Sequence, residues 1–283
     1  MKNRKFAIFI LSHKRANKVV TYNVLRKQGY TGPIYIICDD EDPTYDDYVK
    51  EYGKQVIMFS KAKIEKTFDT GDNFGKRGTI THARNACFGI AEDLGLDYFQ
   101  ELDDDYTGFY HRYNSEGVYG NWLIKDYDAV VTAMLDYFER IPAVTIAMAQ
   151  GGDFIGGEEG SEAKKIHMKR KSMNTFFLTP KRRFSFFGTF NEDVNTYVRL
   201  GTQGKLFLQV NMISVSQKTS QSNSGGITEL YLDSGTYVKA FYTVMMNPSC
   251  VKVSVMGTKH PRLHHKISWQ KAVPCILDEK YKK

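Results

Sequence analysis

The 283-residue chain has little that would staple, anchor or repeat it. Its four cysteines, Cys38, Cys87, Cys250 and Cys275, are widely spaced, and none belongs to a C-x-x-C pair. That argues against a zinc site or a disulfide framework and makes reduced, cytoplasmic thiols the expectation. A chain of this length buries a full core without disulfides. No apolar run is long enough to cross a bilayer, so no membrane partner is expected. The opening "MKNRKFAIFILSHKR" has the charged start of a signal peptide. Its apolar stretch is too short, however, and no small-residue cleavage site follows, so residues 6–11 read as a buried first strand. There is no internal repeat and no linker long enough to separate two domains. One domain over residues 1–283 is expected, with a regular half (1–110) and a less regular half with its tail (111–283).

Acid is missing from one stretch. From Lys164 to Arg183 the chain reads "KKIHMKRKSMNTFFLTPKRR", within a net charge of +7 from 39 Lys and Arg against 32 Asp and Glu. Such a run is a candidate polyanion footprint, with Lys169, Arg170, Lys171, Lys181, Arg182 and Arg183 facing nucleic acid. Phe176, Phe177, Phe184, Phe186 and Phe187 lie close by. They are either exposed rings that stack on a displaced base or part of the core under a solvated face.

Strand and helix alternate through the first hundred residues. Apolar runs at 6–11, 34–38, 55–59 and 97–102 read as strands, and periodic stretches at 15–28 and 79–94 as helices. Thr44 with Asp47 looks like a capping box. This order predicts an α/β fold with a largely parallel sheet. The second half is less regular. It offers a helix over 126–139, a strand over 143–149, a short helix in "NEDVNTYVRLG" and a strand over 206–210. Strand-like runs follow in "GTYVKAFYTVMM" and "CVKVSVMG".

Two strand ends are acidic: "CDDED", with Asp39 and Asp40, and "LDDDY", with Asp103, Asp104 and Asp105. An acidic run is ordinarily solvated. Here the acids stand where an open parallel sheet places its ligand. Adjacent carboxylates raise each other's pKa unless a cation compensates, and hard oxygen ligands suit Mg²⁺ or Mn²⁺. Arg84, on the helix before the second acidic strand, is either a snorkelling flank residue or a cation aimed at a diphosphate. Glu192 and Asp193 either complement a helix dipole or supply a general base. His260, His264 and His265 are either surface residues or a return of the tail to a metal.

The ordered set of "LSHKR", "CDDED", "THARNA", "LDDD", "NEDVN" and a C-terminal histidine cluster resembles the GT-A-fold glycosyltransferases. More narrowly, "GITELYLDSGTYVKAFYTVMMNPSCVKV" and "HHKISWQKAVP" resemble the phage TET-associated glycosyltransferase family. That resemblance implies a GT-A-like, Rossmann-like mixed or mostly parallel sheet flanked by helices. It implies transfer from a UDP-sugar, with Mn²⁺ or Mg²⁺, to a hydroxymethylated pyrimidine of phage DNA. Ser12, Arg15 and Asp39 or Asp40 would face the nucleoside, and Arg84 the diphosphate or sugar. Asp103 would lie near ribose and metal, with Asp104 beside it. Asp105 would be the main metal ligand, Asp193 or Glu192 the base, and His265 or His264 a further ligand. A metal-dependent nuclease and a non-enzymatic DNA-binding module are the rival readings of the same acids and basic surface.

Overall fold

A computed structural model describes residues 4–71, 77–154, 156–159, 172–217, 236–256 and 261–273. Lys169, Arg170, Lys171, His260, Cys275 and the polar loop at 218–226 lie outside these residues. In chain order the elements are β1 (Phe6–Leu11), α1 (Val20–Lys27), β2 (Ile34–Asp39), α2 (Tyr45–Tyr52), β3 (Val56–Phe59), α3 (Lys61–Glu65) and α4 (Thr81–Asp93). Then come β4 (Tyr98–Asp103), β5 (Tyr106–Tyr113), β6 (Tyr119–Leu123), α5 (Tyr127–Arg140), β7 (Ala143–Gln150), β8 (Phe177–Leu178), α6 (Glu192–Thr202) and β9 (Leu206–Gln217). Last are α7 (Thr236–Met246), β10 (Val251–Met256), β11 (Arg262–Ile267) and α8 (Trp269–Ala272).

Among the described residues the strands form one nine-stranded sheet, β3-β2-β1-β4-β8-β7-β9-β5-β6, and a separate β10–β11 hairpin. The first half contributes the parallel block β3-β2-β1-β4. Beyond β4 the sheet is mixed: β8 is antiparallel to both neighbours, β7 and β9 are parallel, and β9-β5-β6 is antiparallel. Burial explains the parallel block. In β1, Ile8 and Ile10 point into one core while Ala7, Phe9 and Leu11 point into the other. A strand covered on both faces reads as a continuous apolar run. Residues of α1, α2 and α5 fill the first core; residues of α4 and α6 fill the second. Each fully buried Phe or Ile contributes about 1.5–3 kcal/mol of transfer free energy.

One polar side chain fixes the first layer. Buried Gln28, just after α1, donates to the carbonyls of Phe109 (2.8 Å) and Ile124 (2.7 Å) and accepts from the Phe109 N–H (2.9 Å). Gly29 follows at φ +85°, and a Cβ there would stand 2.4 Å from the Lys125 carbonyl oxygen. Only glycine suits both the left-handed turn and that approach.

Several expectations change. Thr44 makes no capping box: its hydroxyl donates to Asp42 (2.8 Å) and it offers α2 no side-chain cap. The strand expected over 206–210 continues to Gln217. Its pairing with β7 jumps from Met148↔Val210 to Ala149↔Ser214, and polar Gln209, Asn211, Ser214 and Ser216 break the apolar run that marked it. "GTYVKAFYTVMM" is a helix. Its β-branched and aromatic residues suggested a strand, but Ala240, Thr243 and Asn247 are buried at helical spacing while Tyr237, Phe241 and Met245 are exposed. The five phenylalanines between 176 and 187 are all core, none more than 8% exposed.

Candidate active site

The carboxyl ends of β1, β2 and β4 open on a cavity of about 400 Å³. Ligands bind at this place in open α/β sheets. Its wall holds Ser12, Arg15, Asp39, Arg84, Asp103, Asp104, Asp105, Glu192, Asp193, His264 and His265. The hairpin therefore returns the tail histidines to the aspartate turn. Among the described residues, the non-glycine residues at positive φ are Lys14, Asn174 and Asn191. Asn174 and Asn191 line the cavity, and Lys14 lies between two residues that do. Backbone held in this region costs of order 1–3 kcal/mol per residue and gathers at functional sites.

Thr21 clamps the aspartate turn. Its N–H donates to the Asp104 carbonyl (3.2 Å) and its hydroxyl to the Asp103 carbonyl (2.7 Å), and the hydroxyl accepts from the Tyr106 N–H (2.9 Å). Within the turn the three acids differ. Asp104 is buried and accepts from Ser12 Oγ (2.6 Å) and Arg15 Nη1 (3.0 Å). Ser12 Oγ also meets the Tyr48 hydroxyl at 2.7 Å, and that hydroxyl accepts from the Arg15 N–H (2.9 Å). Asp104 thus ties the β1 loop to the β4 loop. Asp103 and Asp105 are half-buried at the cavity wall. Burial raises the Asp103 carboxyl to about 7, Arg84 counteracts this, and Asp105, Glu192 and Asp104 add to it.

Arg84 sits at the centre of a carboxylate cage, 1% exposed. Its Nε donates to Glu192 (3.1 Å), its Nη1 to Glu101 (3.3 Å), and its Nη2 to Asp103 (3.3 Å) and Asn174 Oδ1 (3.4 Å). The guanidinium lies over Phe176 and Phe186, at 5.0 and 5.7 Å from the ring centroids. Burial works against its charge, but Asp103, Glu192 and Glu101 hold it charged. Four hydrogen bonds to protein groups make it set these acids, while it also lines the cavity. Burial lifts Glu101 to about 8 against the pull of Arg84. Burial and the charge of Asp193 raise Glu192, again against Arg84.

Asp39 contrasts with these. Burial would raise it, but hydrogen bonds from His13 Nδ1 (2.7 Å) and Lys61 Nζ (2.8 Å) outweigh burial and leave it at about 2. It is a fixed anion at the cavity wall. Asp40 lies off that wall: its carboxylate accepts from the Lys61 N–H (3.0 Å) at the start of α3.

The sequence profile of the TET-associated glycosyltransferase family matches residues 6–226. The chain belongs to that family. A TET-associated glycosyltransferase is a transferase, so the nuclease and the passive DNA-binding readings both give way. The profile match ends before most of the C-terminal segments that carried the narrower resemblance. No curated protein matches the chain. Among solved structures, it is similar to glucosyl-3-phosphoglycerate synthase from Mycobacterium tuberculosis in complex with Mn²⁺, UDP and phosphoglyceric acid. That likeness has 9% identity, 94% of this chain, 87% of that chain and a TM-score of 0.46. It is also similar to S. aureus TarS 1–349 in complex with UDP-GlcNAc, at 11% identity, over 85% of this chain and 66% of that chain, with a TM-score of 0.47.

Of the six basic residues expected to face nucleic acid, three lie outside the described residues and Arg182 is drawn into the fold. Arg182 donates to the carbonyls of Phe138, Ile141 and Ala143 at 2.7–3.1 Å and closes the end of α5. That is structural work, not a face offered to a polyanion. Arg183 is exposed and bonds Glu92 (3.2 Å), and Lys181 is exposed. Sequence reasoning passed over Lys61, His13, Tyr48 and Asn174. His13, inside "LSHKR", and Asn174, inside the basic 164–183 run, stood in quoted stretches but were given no role. Lys61 opens an unremarkable "KAKIE", and its burial against Asp39 follows from the chain path alone.

Proposed function

We propose that the chain moves a sugar from a UDP-sugar to the hydroxyl of a hydroxymethylated pyrimidine, 5-hydroxymethylcytosine or 5-hydroxymethyluracil, in DNA. The observation that carries this is the single cavity into which Asp39, Asp103, Asp105, Asp193, His264 and His265 converge, in a chain of this transferase family. The donor lies with residues 1–110 and the acceptor enters from 111–283, since the cavity draws its wall from both.

The donor set fits a hard divalent ion. Two carboxylates with adjacent imidazoles suit Mn²⁺, and Mg²⁺ less well. Among the described residues, no three His, Cys, Asp or Glu side chains are close enough to hold an ion by themselves. A metal here would take most of its ligands from water and the donor's phosphates. Asp105 and Asp103 would hold it, with His265 or His264 on the same cavity wall but not already grouped with both acids. Bound there, the ion would offset negative charge on the departing diphosphate.

The protein groups divide the remaining work. Asp39, held anionic by His13 and Lys61, faces the nucleoside as a hydrogen-bond acceptor. Ser12 and Arg15 shape that end through Asp104. Arg84 keeps Glu192 and Asp103 in place. Glu192 is taken by Arg84, so Asp193 accepts the proton from the acceptor hydroxyl. Attack on the anomeric carbon from the face opposite the leaving diphosphate inverts that centre.

The test is incubation with a panel of UDP-sugars, Mn²⁺ and DNA carrying hydroxymethylated bases, with nucleosides read by mass spectrometry. One donor should give a mass gain equal to its sugar. Absence of a gain with every donor and both bases sinks the reading.

A further inference from the structure

The acceptor needs a surface, and the expected basic segment supplies little of one within the described residues. The C-terminal part does better. Residues 234–277 contain no Asp or Glu and six Lys or Arg, bounded by Asp233 and Asp278. In the structure this stretch includes α7, the β10–β11 hairpin and α8, and α7 packs along both strands of the hairpin. Lys252 and Lys266 are directly opposite each other across the hairpin, as are Ser254 and His264. Pairs opposite in an antiparallel ladder share a face, and residues two apart share it too. Lys252, Lys266, Ser254 and His264 therefore stand on one face, and the lysine pair lies about 7 Å along the strand from His264. His264 lines the cavity. Both lysines are exposed, and neither forms an ion pair with a carboxylate among the described residues. Like charges directly opposite are destabilising, so this pair is not explained by folding.

Beside the hairpin, α7 presents Tyr237, Phe241 and Met245 at successive turns, 57%, 50% and 57% exposed. Lys239 of the same helix lines the cavity. Cations beside exposed rings suit a nucleic acid, which offers phosphates to the first and base faces to the second.

We infer that the acceptor DNA docks on this C-terminal unit beside the cavity, its phosphates on the Lys252–Lys266 face of the hairpin and an unstacked base against the exposed rings of α7. This rests on the DNA-acceptor reading above. It adds a C-terminal DNA contact to the 164–183 segment, of which Lys169, Arg170 and Lys171 lie outside the described residues.

The experiment uses the full chain with a fluorescent duplex carrying 5-hydroxymethylcytosine, and anisotropy measured across a salt series. Two variants are compared, Lys252→Glu with Lys266→Glu, and Phe241→Ala. Each is first checked for a thermal shift with UDP and Mn²⁺, which reports an intact fold and donor site. The double variant should bind DNA at least tenfold more weakly, with the slope of log K against log salt smaller by about two. Phe241→Ala should weaken binding about tenfold with the slope unchanged, because a ring releases no counterions. In transfer assays both should raise KM for DNA far more than they lower kcat. Unchanged affinity and slope in the double variant, while the wild type glycosylates the duplex, overturns the docking face and leaves the function standing. UDP binding by the wild type with no transfer to any DNA overturns the function instead. A concentration-dependent dimer abolished by Phe241→Ala, with DNA binding intact in all variants, assigns the face to a second copy and overturns the proposal.

Discussion

Replacing Arg84 by methionine tests whether the cage is an electrostatic unit. Met fills much of the volume and can still lie against Phe176 and Phe186, so packing loss is minor. What goes is the cation shared by Glu192, Glu101 and Asp103 at 3.1, 3.3 and 3.3 Å. Removing one partner of a buried ion pair costs roughly 3–5 kcal/mol, because the other charge stays buried without compensation. Three carboxylates share the loss here, but they escape part of it by keeping protons. Glu101 and Asp103 already hold theirs up to about 8 and about 7 with Arg84 present, and without it both rise further. The sign follows. Acids with raised folded pKa contribute stability that is complete below their unfolded pKa and fades as pH rises through the folded value. The variant should therefore lose roughly 4 kcal/mol at pH 8, or about 7 °C in Tm for a chain of this size, and clearly less at pH 5. Urea melts of both proteins at the two pH values measure this. A loss below about 1 kcal/mol at pH 8, or an equal loss at both pH values, refutes the cage as an electrostatic unit.

The same acids predict a metal linkage: apparent Mn²⁺ affinity should rise with pH through about 7, as Asp103 gives up its proton. Calorimetry in buffers of different ionisation enthalpy should show proton release, and pH-independent binding without release would contradict it. Asp105→Ala should abolish transfer while shifting Tm only slightly; full activity would remove Asp105 from the metal site. Asp193→Asn should lower kcat by roughly 10²–10⁴-fold with little change in KM for the donor. Glu192→Gln should instead destabilise the fold, and equal kcat losses with normal stability would reverse the two roles. Gly29→Ala should cost about 2 kcal/mol or more in a urea melt, since a Cβ would meet the Lys125 carbonyl at 2.4 Å. A neutral result there would mean the 28–29 turn yields without cost.

The parallel half of the fold was legible because its strands are buried on both faces. β1 matches the run read in the sequence, β2 extends it by one residue, and β4 is shifted by one. The second half hid its strands in polar sequence. In β9, Gln209 and Asn211 face inward and bond each other (2.7 Å), and Gln209 bonds Asp153 (2.9 Å). A strand that satisfies buried amides against its own neighbours has no apolar alternation to read. In α7 the error was one of rule. Aromatic and β-branched content was weighed above period, although Ala240, Thr243 and Asn247 already carried a helical spacing.

The site shows the same division at the level of charge. Sequence order placed Asp103 and Asp105 at a strand end, and the parallel sheet made that a ligand position. It could not divide the labour among neighbouring acids, because that depends on which cation each one meets. Asp39 and Asp40 are adjacent, yet His13 and Lys61 turn the first into a cavity anion and the Lys61 N–H turns the second into a helix cap. Asp104 is consumed by Ser12 and Arg15, and Glu192 by Arg84. Asp103, also bonded by Arg84, stays half-buried at the cavity wall with Asp105 and Asp193, where the proposed function puts donor, metal and acceptor. Arg84 shows why dividing the labour needs coordinates. Its charge alone suggested a cation aimed at a diphosphate, and its burial adds a second role, the counterion beside which three carboxylates coexist at one end of a sheet.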